Sequence, residues 1–274
     1  MRLGRSVGGR VRSEVEELLH GSFDFRIHTS PEPDGERRND YLEAGRDAHE
    51  ADMAGFVLMK HQYPTALLAY TLNRMYPGLN AIGSIALNEG VGGLNADAVE
   101  VSASLGAKVI WMPTRDADST KLLDTPDKVA TILDIAKASD LVVATTHDTF
   151  EESRMLLQLA KSIGVERLML SNPLARFNSD GAKELLAFGT WVELPFFSYY
   201  PSDNAGERMR SDIEAIGLDR CIVSTDFGQW TNPPPVEGMR MAIAAMLGAG
   251  MDTDVVAKVV GTNPLELVGI SDSG

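Results

Sequence analysis

The chain has 274 residues, 44% of them hydrophobic, enough for one large core, since α/β barrels run to roughly 250 residues as single units. Its 25 Lys and Arg stand against 39 Asp and Glu, a net charge of −14 at pH 7 that opposes binding to the polyanionic backbone of nucleic acid. No run approaches the roughly 18 uninterrupted apolar residues of a membrane span, and the single cysteine, Cys221, cannot close an internal disulfide. The expectation is therefore a cytoplasmic protein with a small-molecule substrate, and with neither nucleic acid nor a membrane as partner.

The stretch "MRLGRSVGGRVR" carries Arg2, Arg5, Arg10 and Arg12 without an apolar core, so no secretory signal is expected. Residues 1–21 read as an arm with a short helix, and residues 22–274 as one barrel domain. Eight short apolar runs follow in order: "FDFRIHTS" (23–30), "GFVLMKHQ" (55–62), "NAIGSIALN" (80–88), "AKVIWMPT" (107–114), "DLVVATTHD" (140–148), "RLMLSNP" (167–173), "TWVELPFF" (190–197) and "CIVSTDFG" (221–228). Most are near-continuous rather than alternating, the pattern of strands buried on both faces of a parallel sheet.

Helix signals lie between them. "TPDKVATILDIAKAS" offers Thr125 as N-cap and Pro126 at the first helical position, and "TFEESRMLLQLAKSIG" offers a Thr149 to Glu152 capping box with Gly164 at its end. Further helices fit "DYLEAGRDAHEAD", "TALLAYTLNRMY", "NADAVEVSASLG", "GAKELLAFG", "GERMRSDIEAIG" and "VEGMRMAIAAMLGAG". Strands alternating with helices in this number predict an α/β fold, a single (β/α)8 TIM barrel, with "DTDVVAKVV" and "NPLELVGI" as extra C-terminal helices closing one face. The missing G-x-G-x-x-G after the first strand counts against a dinucleotide-binding open sheet.

A barrel gathers its chemistry at the C-terminal ends of its strands. There the sequence places His28, then Lys60 and His61, Asn88, Thr114, His147, Asn172, Glu193 and Asp226. A polar residue at one strand end is ordinary, because loops are where polar residues accumulate. A closed ring, however, turns all the ends toward a common opening, so His28, His147 and Asp226 would meet there without being neighbours in the chain.

At this point the chain resembles a known family. From Asp24 to Ile270 it is similar to the amidohydrolase superfamily of metal-dependent hydrolases, and more closely to an amidohydrolase-like group that shares "D-x-H-x-H" on strand one. That group also looks like "GFVLMKHQYPT", "LNEGVGGLNADAVEVSASLGAKVIWMPT", "STDFGQWTNPPPVEG" and "NPLELVGI" as they stand here. The resemblance implies hydrolysis of an amide, lactone or similar bond in a small, anionic substrate, with a divalent metal, zinc foremost, activating water. In the superfamily the ligands are two histidines on strand one, one each on strands five and six, and an aspartate on strand eight. Carried over, His28, His147 and Asp226 match as ligands of one metal, with Asp226 and His147 also moving protons. Arg26 and Asn172 stand where the remaining histidines belong. Lys60 and His61 match a Lys-His pair of the closer group and count as catalytic candidates, while Arg26, Asn172, Asn88, Thr114 and Glu193 are candidates for binding substrate. A homo-oligomer is expected.

The departures matter chemically. Guanidinium has five donors, no acceptor and a permanent charge, so Arg26 cannot be a ligand. On a regular strand Asp24, Arg26 and His28 project to one side, and at about 4 Å and an effective dielectric near 20 a divalent ion would be repelled by that guanidinium by on the order of 8 kcal/mol. An amide at Asn172 is a poor match for zinc. One metal therefore leads, with Lys60 (if carbamylated) or His61 as a further ligand. The alternative is a metal-free lyase, isomerase or decarboxylase with Arg26 in the ion's place, and the third is an inactive binding subunit. Two loops add detail: "NEGVGGLN" (88–95) could cradle an anion at a helix start, and "FFSYYPSDN" (196–204) reads as an apolar lid or a subunit contact.

Overall fold

The computed structural model describes residues 7–33, 35–115, 122–146 and 149–270. Eight parallel strands stand in sequence order: β1 (Phe23–Ile27), β2 (Gly55–Leu58), β3 (Asn80–Ala86), β4 (Ala107–Trp111), β5 (Val142–Thr145), β6 (Leu168–Ser171), β7 (Trp191–Pro195) and β8 (Cys221–Ser224). Each pairs with the next, and just past β8 the Ile27–Phe227 bridge brings the chain back to β1, which closes the expected (β/α)8 barrel. The seam is made by two backbone bonds, Asp226 N–H to Arg26 O (2.9 Å) and His28 N–H to Phe227 O (2.8 Å).

Period-two alternation sorts the strand side chains into two cores. Val57, Met59, Val109, Trp111, Ala144 and Ile222 fill the barrel, while Phe56, Leu58, Ile110, Val143, Leu170 and Val223 face the surrounding helices. Those helices are α1 (Val7–Leu19), α2 (Tyr41–Glu50), α3 (Ala66–Met75), α4 (Ala96–Ser104), α5 (Pro126–Ala138), α6 (Phe150–Ile163), α7 (Ser179–Leu186), α8 (Ala205–Ile216) and α9 (Pro235–Gly248). The Thr149–Glu152 capping box is present at α6, with Gly164 left-handed at its end (φ 95°). At α5, Pro126 takes the first helical position as expected, but Thr125 makes no side-chain cap. The two expected C-terminal helices, α10 (Thr253–Ala257) and α11 (Asn263–Val268), are joined by a π-helical turn over 258–262. Leu265, Leu267 and Val268 of α11 enter the interior cluster beside Phe23 and Trp191, which stand at strand starts, so α11 plugs the end of the barrel opposite the strand C-termini. Among the described residues no helix is long and apolar enough to cross a membrane.

One irregularity positions the site. Asp24 pairs with Phe56 and Ile27 with Leu58, so three steps on β1 span two on β2, a bulge. The bulge resets the alternation: Phe23 and Phe25 lie in the interior, Ile27 lies in the outer core, and the Arg26 guanidinium comes to rest over interior Trp111, 5.6 Å from the ring centroid. The expectation that Asp24, Arg26 and His28 share one face is corrected accordingly. Asp24 is separated from the other two by the bulge.

Candidate active site

Asp24 works at the seam. Its carboxylate accepts from Thr225 N (2.8 Å) and Thr225 Oγ1 (2.5 Å), and from the Arg26 amide at 3.3 Å. Burial pushes its pKa up to about 7 against the pull of the Thr225 bonds. The residue that opens the strand-one motif thus stitches β1 to the segment after β8.

Arg26 is buried, 8% exposed. Its Nε lies 3.1 Å from Glu193 Oε1 and its Nη2 lies 3.2 Å from Asp226 Oδ2. Neither nitrogen has the alignment of a hydrogen bond, so the attraction is Coulombic. Glu193 is held from behind: Ser224 Oγ donates to Oε1 (2.6 Å) and Ser171 Oγ to Oε2 (2.7 Å), fixing a fully buried carboxylate between β6 and β8. Burial works against the Arg26 charge, but Asp226, Glu193 and Asp24 outweigh it and raise the guanidinium pKa further. Burial likewise pushes the Asp226 carboxyl up, yet Arg26 and the His28 bond outweigh it and hold the pKa below the ordinary value.

Asp226 sits at φ 56°, a left-handed conformation that costs an L residue roughly 1 kcal/mol or more. That twist lets its amide close the seam on Arg26 O while its side chain meets two site residues. Asp226 Oδ1 and His28 Nε2 are 2.9 Å apart. A carboxylate only accepts, so Nε2 carries the proton and Nδ1 offers a lone pair. Nδ1 is buried and has no hydrogen-bond partner among the described residues.

The His61 ring stacks on His28, centroids 5.2 Å apart at 21°. Burial above all, with the nearby Arg115 and Arg37 charges adding to it, pushes the His61 pKa down to about 2, so the ring is neutral across the physiological range. Its Nδ1 is 2.9 Å from Thr114 Oγ1, which accepts from Asn88 Nδ2 at 2.7 Å. A Thr114 hydroxyl that donates to His61 Nδ1 while accepting from Asn88 puts the ring proton on Nε2, the tautomer in which His61 can donate into the mouth. Asn88 also donates to His61 O (2.9 Å) and accepts from the amides of Thr114 (2.8 Å) and Arg115 (3.1 Å). Of the expected substrate-binding residues, Asn88 and Thr114 therefore clamp the ends of β2, β3 and β4 and orient His61.

Lys60 and His61 both lie past the end of β2, and they part company. Lys60, 1% exposed, donates to Pro31 O (3.0 Å) and stands 4.0 Å from Glu32 Oε2. Arg37 Nη2 approaches the same carboxylate at 3.5 Å, and Tyr63 also bonds Pro31 O. Burial lowers the Lys60 pKa to about 8 against the pull of Glu32, with Arg37 adding to the depression. Glu32 and Arg37, in the loop between β1 and α2, escaped the sequence reading, because nothing in "PEPDGER" marks charged side chains that turn inward.

Asn172 stands apart. At φ 48° it directs Oδ1 to Ser198 Oγ (3.3 Å), in a groove it shares with Phe177, Tyr199 and Arg208. Its amide donates to Glu193 O (3.1 Å), but among the described residues its side chain makes no hydrogen bond to the Arg26 cluster. The glycine-rich turn is structural as well: a Cβ on Gly90 would meet Gln62 Oε1 at 2.2 Å, and the α4 N-terminus is capped by Asn95 itself. The supposed lid is pinned, with the Phe196 and Tyr200 rings packed on Phe227 at 5.8 and 5.3 Å.

The implied metal can be tested against this geometry. His147 lies outside the described residues. His28 Nε2 is turned to Asp226 Oδ1 and Arg26 Nη2 stands against Oδ2, so an ion bound by His28 and Asp226 would lie against the guanidinium charge. Among the described residues no three His, Cys, Asp or Glu side chains converge as an ion would require. The described residues do not fit a divalent metal on His28 and Asp226.

Comparisons place the chain in a wider setting. Structurally it is similar to an amidohydrolase from Pseudomonas aeruginosa (12% identity, TM-score 0.68, covering 94% of this chain and 98% of that one). It is also similar to a phosphotriesterase homology protein from Escherichia coli with phosphate in its active site (15%, TM-score 0.70, 91% and 99%). A third is an organophosphorus hydrolase from Deinococcus radiodurans (15%, TM-score 0.62, 91% and 93%). At such identities the likeness is one of fold. No curated protein matches the chain. Residues 21–193 match DUF6282, a family of unknown function, and the chain belongs to that family.

Proposed function

We propose that this member of a family without an assigned activity is a hydrolase whose active site is the barrel mouth at the β1–β8 seam, with His28 as general base. The observation that carries this is the 2.9 Å contact between Asp226 and His28 Nε2, which leaves Nδ1 as a lone pair without a hydrogen-bond partner among the described residues. A carboxylate behind an imidazole fixes the tautomer and stabilises the imidazolium that forms when the base takes a proton. His28 Nδ1 takes a proton from water as the water oxygen bonds to an acyl carbon. His61 Nε2–H donates to the developing oxyanion, and the proton on His28 then passes to the departing alcohol or amine. No step runs through a metal. The fold shared with an amidohydrolase and an organophosphorus hydrolase supports the reaction class.

The substrate is a small ester, lactone or amide that carries an acid group. Arg115 and Arg37 stand near enough to His61 to add to the depression that burial causes, and cations on the β2–β4 side of the mouth would suit an acid group on the substrate. A second reading is a lyase in which the same base takes a carbon-bound proton, favoured by the fixed charge of Arg26. Incubation with a panel of lactones, carboxylate esters, N-acyl amino acids and 2-hydroxy acids in 18O-labelled water separates the two. Hydrolysis places one label in the product acid. Dehydration of a hydroxy acid with no turnover of the acyl compounds would overturn the hydrolase reading.

A further inference from the structure

We infer that Arg26 is a resident cation standing in place of a divalent ion, and that the barrel mouth excludes such ions. The β1 bulge brings the side chain to the interior, where its guanidinium lies over Trp111 and between Glu193 and Asp226. At 8% exposed it is not a surface arginine that swings aside. Its anionic partners are themselves fixed, Glu193 by two serine hydroxyls and Asp226 by His28 and the seam amide. A guanidinium keeps its charge at any physiological pH and offers no lone pair. It therefore supplies what an ion would supply to Asp226, a positive charge that keeps the carboxylate ionised, while it occupies one carboxylate oxygen and repels a second cation. Unlike an ion, it cannot be lost to a chelator. The inference holds whichever bond the site acts on.

The test is metal binding by the full chain. Protein expressed with added zinc, manganese and cobalt is dialysed and assayed for metal, and zinc or manganese alone is titrated calorimetrically into wild type, Arg26→His and Arg26→Met. Wild type is expected to retain less than about 0.2 ion per chain and to show no saturable site at the mouth. Arg26→His, which restores a second imidazole on β1 and removes the charge, is expected to bind zinc more than about a hundredfold tighter than wild type. Should that variant not fold, Arg26→Met, which removes only the charge, is expected to gain in the same direction. One tightly held ion per wild-type chain, lost in Asp226→Asn, would overturn the inference. So would a folded Arg26→His or Arg26→Met that binds no tighter than wild type.

Discussion

Replacing Glu193 with Gln removes one of the two anions that face Arg26 while keeping its shape. Gln still accepts from one serine and can donate to the other, because both Ser171 and Ser224 hydroxyls can reorient. The 3.1 Å approach of Arg26 Nε to Oε1 is worth about 5 kcal/mol of direct attraction at an effective dielectric near 20. A buried guanidinium left short of a partner typically costs 3–5 kcal/mol, so the variant should lose roughly 3 kcal/mol or more, a large share of a domain's ordinary 5–15 kcal/mol. Urea unfolding followed by circular dichroism measures it, with Arg26→Met and the double variant completing a cycle. The expected coupling is above about 2 kcal/mol, since methionine over Trp111 no longer needs the anion. A loss in Glu193→Gln below about 1 kcal/mol, additive with that of Arg26→Met, would refute the picture of a guanidinium fixed between two carboxylates.

Three further outcomes follow from other contacts. Asn88→Ala removes four polar contacts at the β2–β4 ends and should cost about 2–4 kcal/mol in urea unfolding while lowering activity through a misplaced His61. Gly228→Ala should lose more than about 3 kcal/mol or fail to fold, because at φ 138° its Cβ would lie 1.8 Å from His28 O at the barrel seam. For Lys60 the folded pKa of about 8 lies below the ordinary 10.5, so below pH 8 both states carry the proton and the folded state bears the full penalty. Between the two values the unfolded chain holds more protons, and stability should rise with pH by on the order of 3 kcal/mol. Lys60→Met should lack that rise; equal slopes in the two proteins from pH 8 to 10 would contradict the burial of a charged amine.

The barrel was legible because its strands are buried on both faces, which leaves near-continuous apolar runs, and because helix starts such as Thr149 carry their caps in local sequence. The convergence of His28 and Asp226 follows from closure of the ring. What local sequence hides is register and loop direction. Nothing in "FDFRIH" tells a regular strand from one with a bulge, yet the bulge alone separates Asp24 from Arg26 and sends the guanidinium inward. Asn172 points away because of a left-handed backbone that non-glycine residues rarely adopt. Asn88 looks like a substrate contact until its bonds show it clamping three strand ends, and the Glu32–Arg37–Lys60 cluster forms only when a distant loop folds over β2.

Proton transfer at the His28–Asp226 pair is the step on which hydrolysis at this mouth depends. The deciding measurement is the turnover of Asp226→Asn, shown to be folded by circular dichroism, on whichever acyl substrate the wild type hydrolyses. An amide in place of the carboxylate would leave His28 with the wrong tautomer and an unsupported imidazolium, so kcat should fall on the order of a thousandfold or more at neutral pH with KM little changed. A variant that turns over within about tenfold of wild type would contradict it.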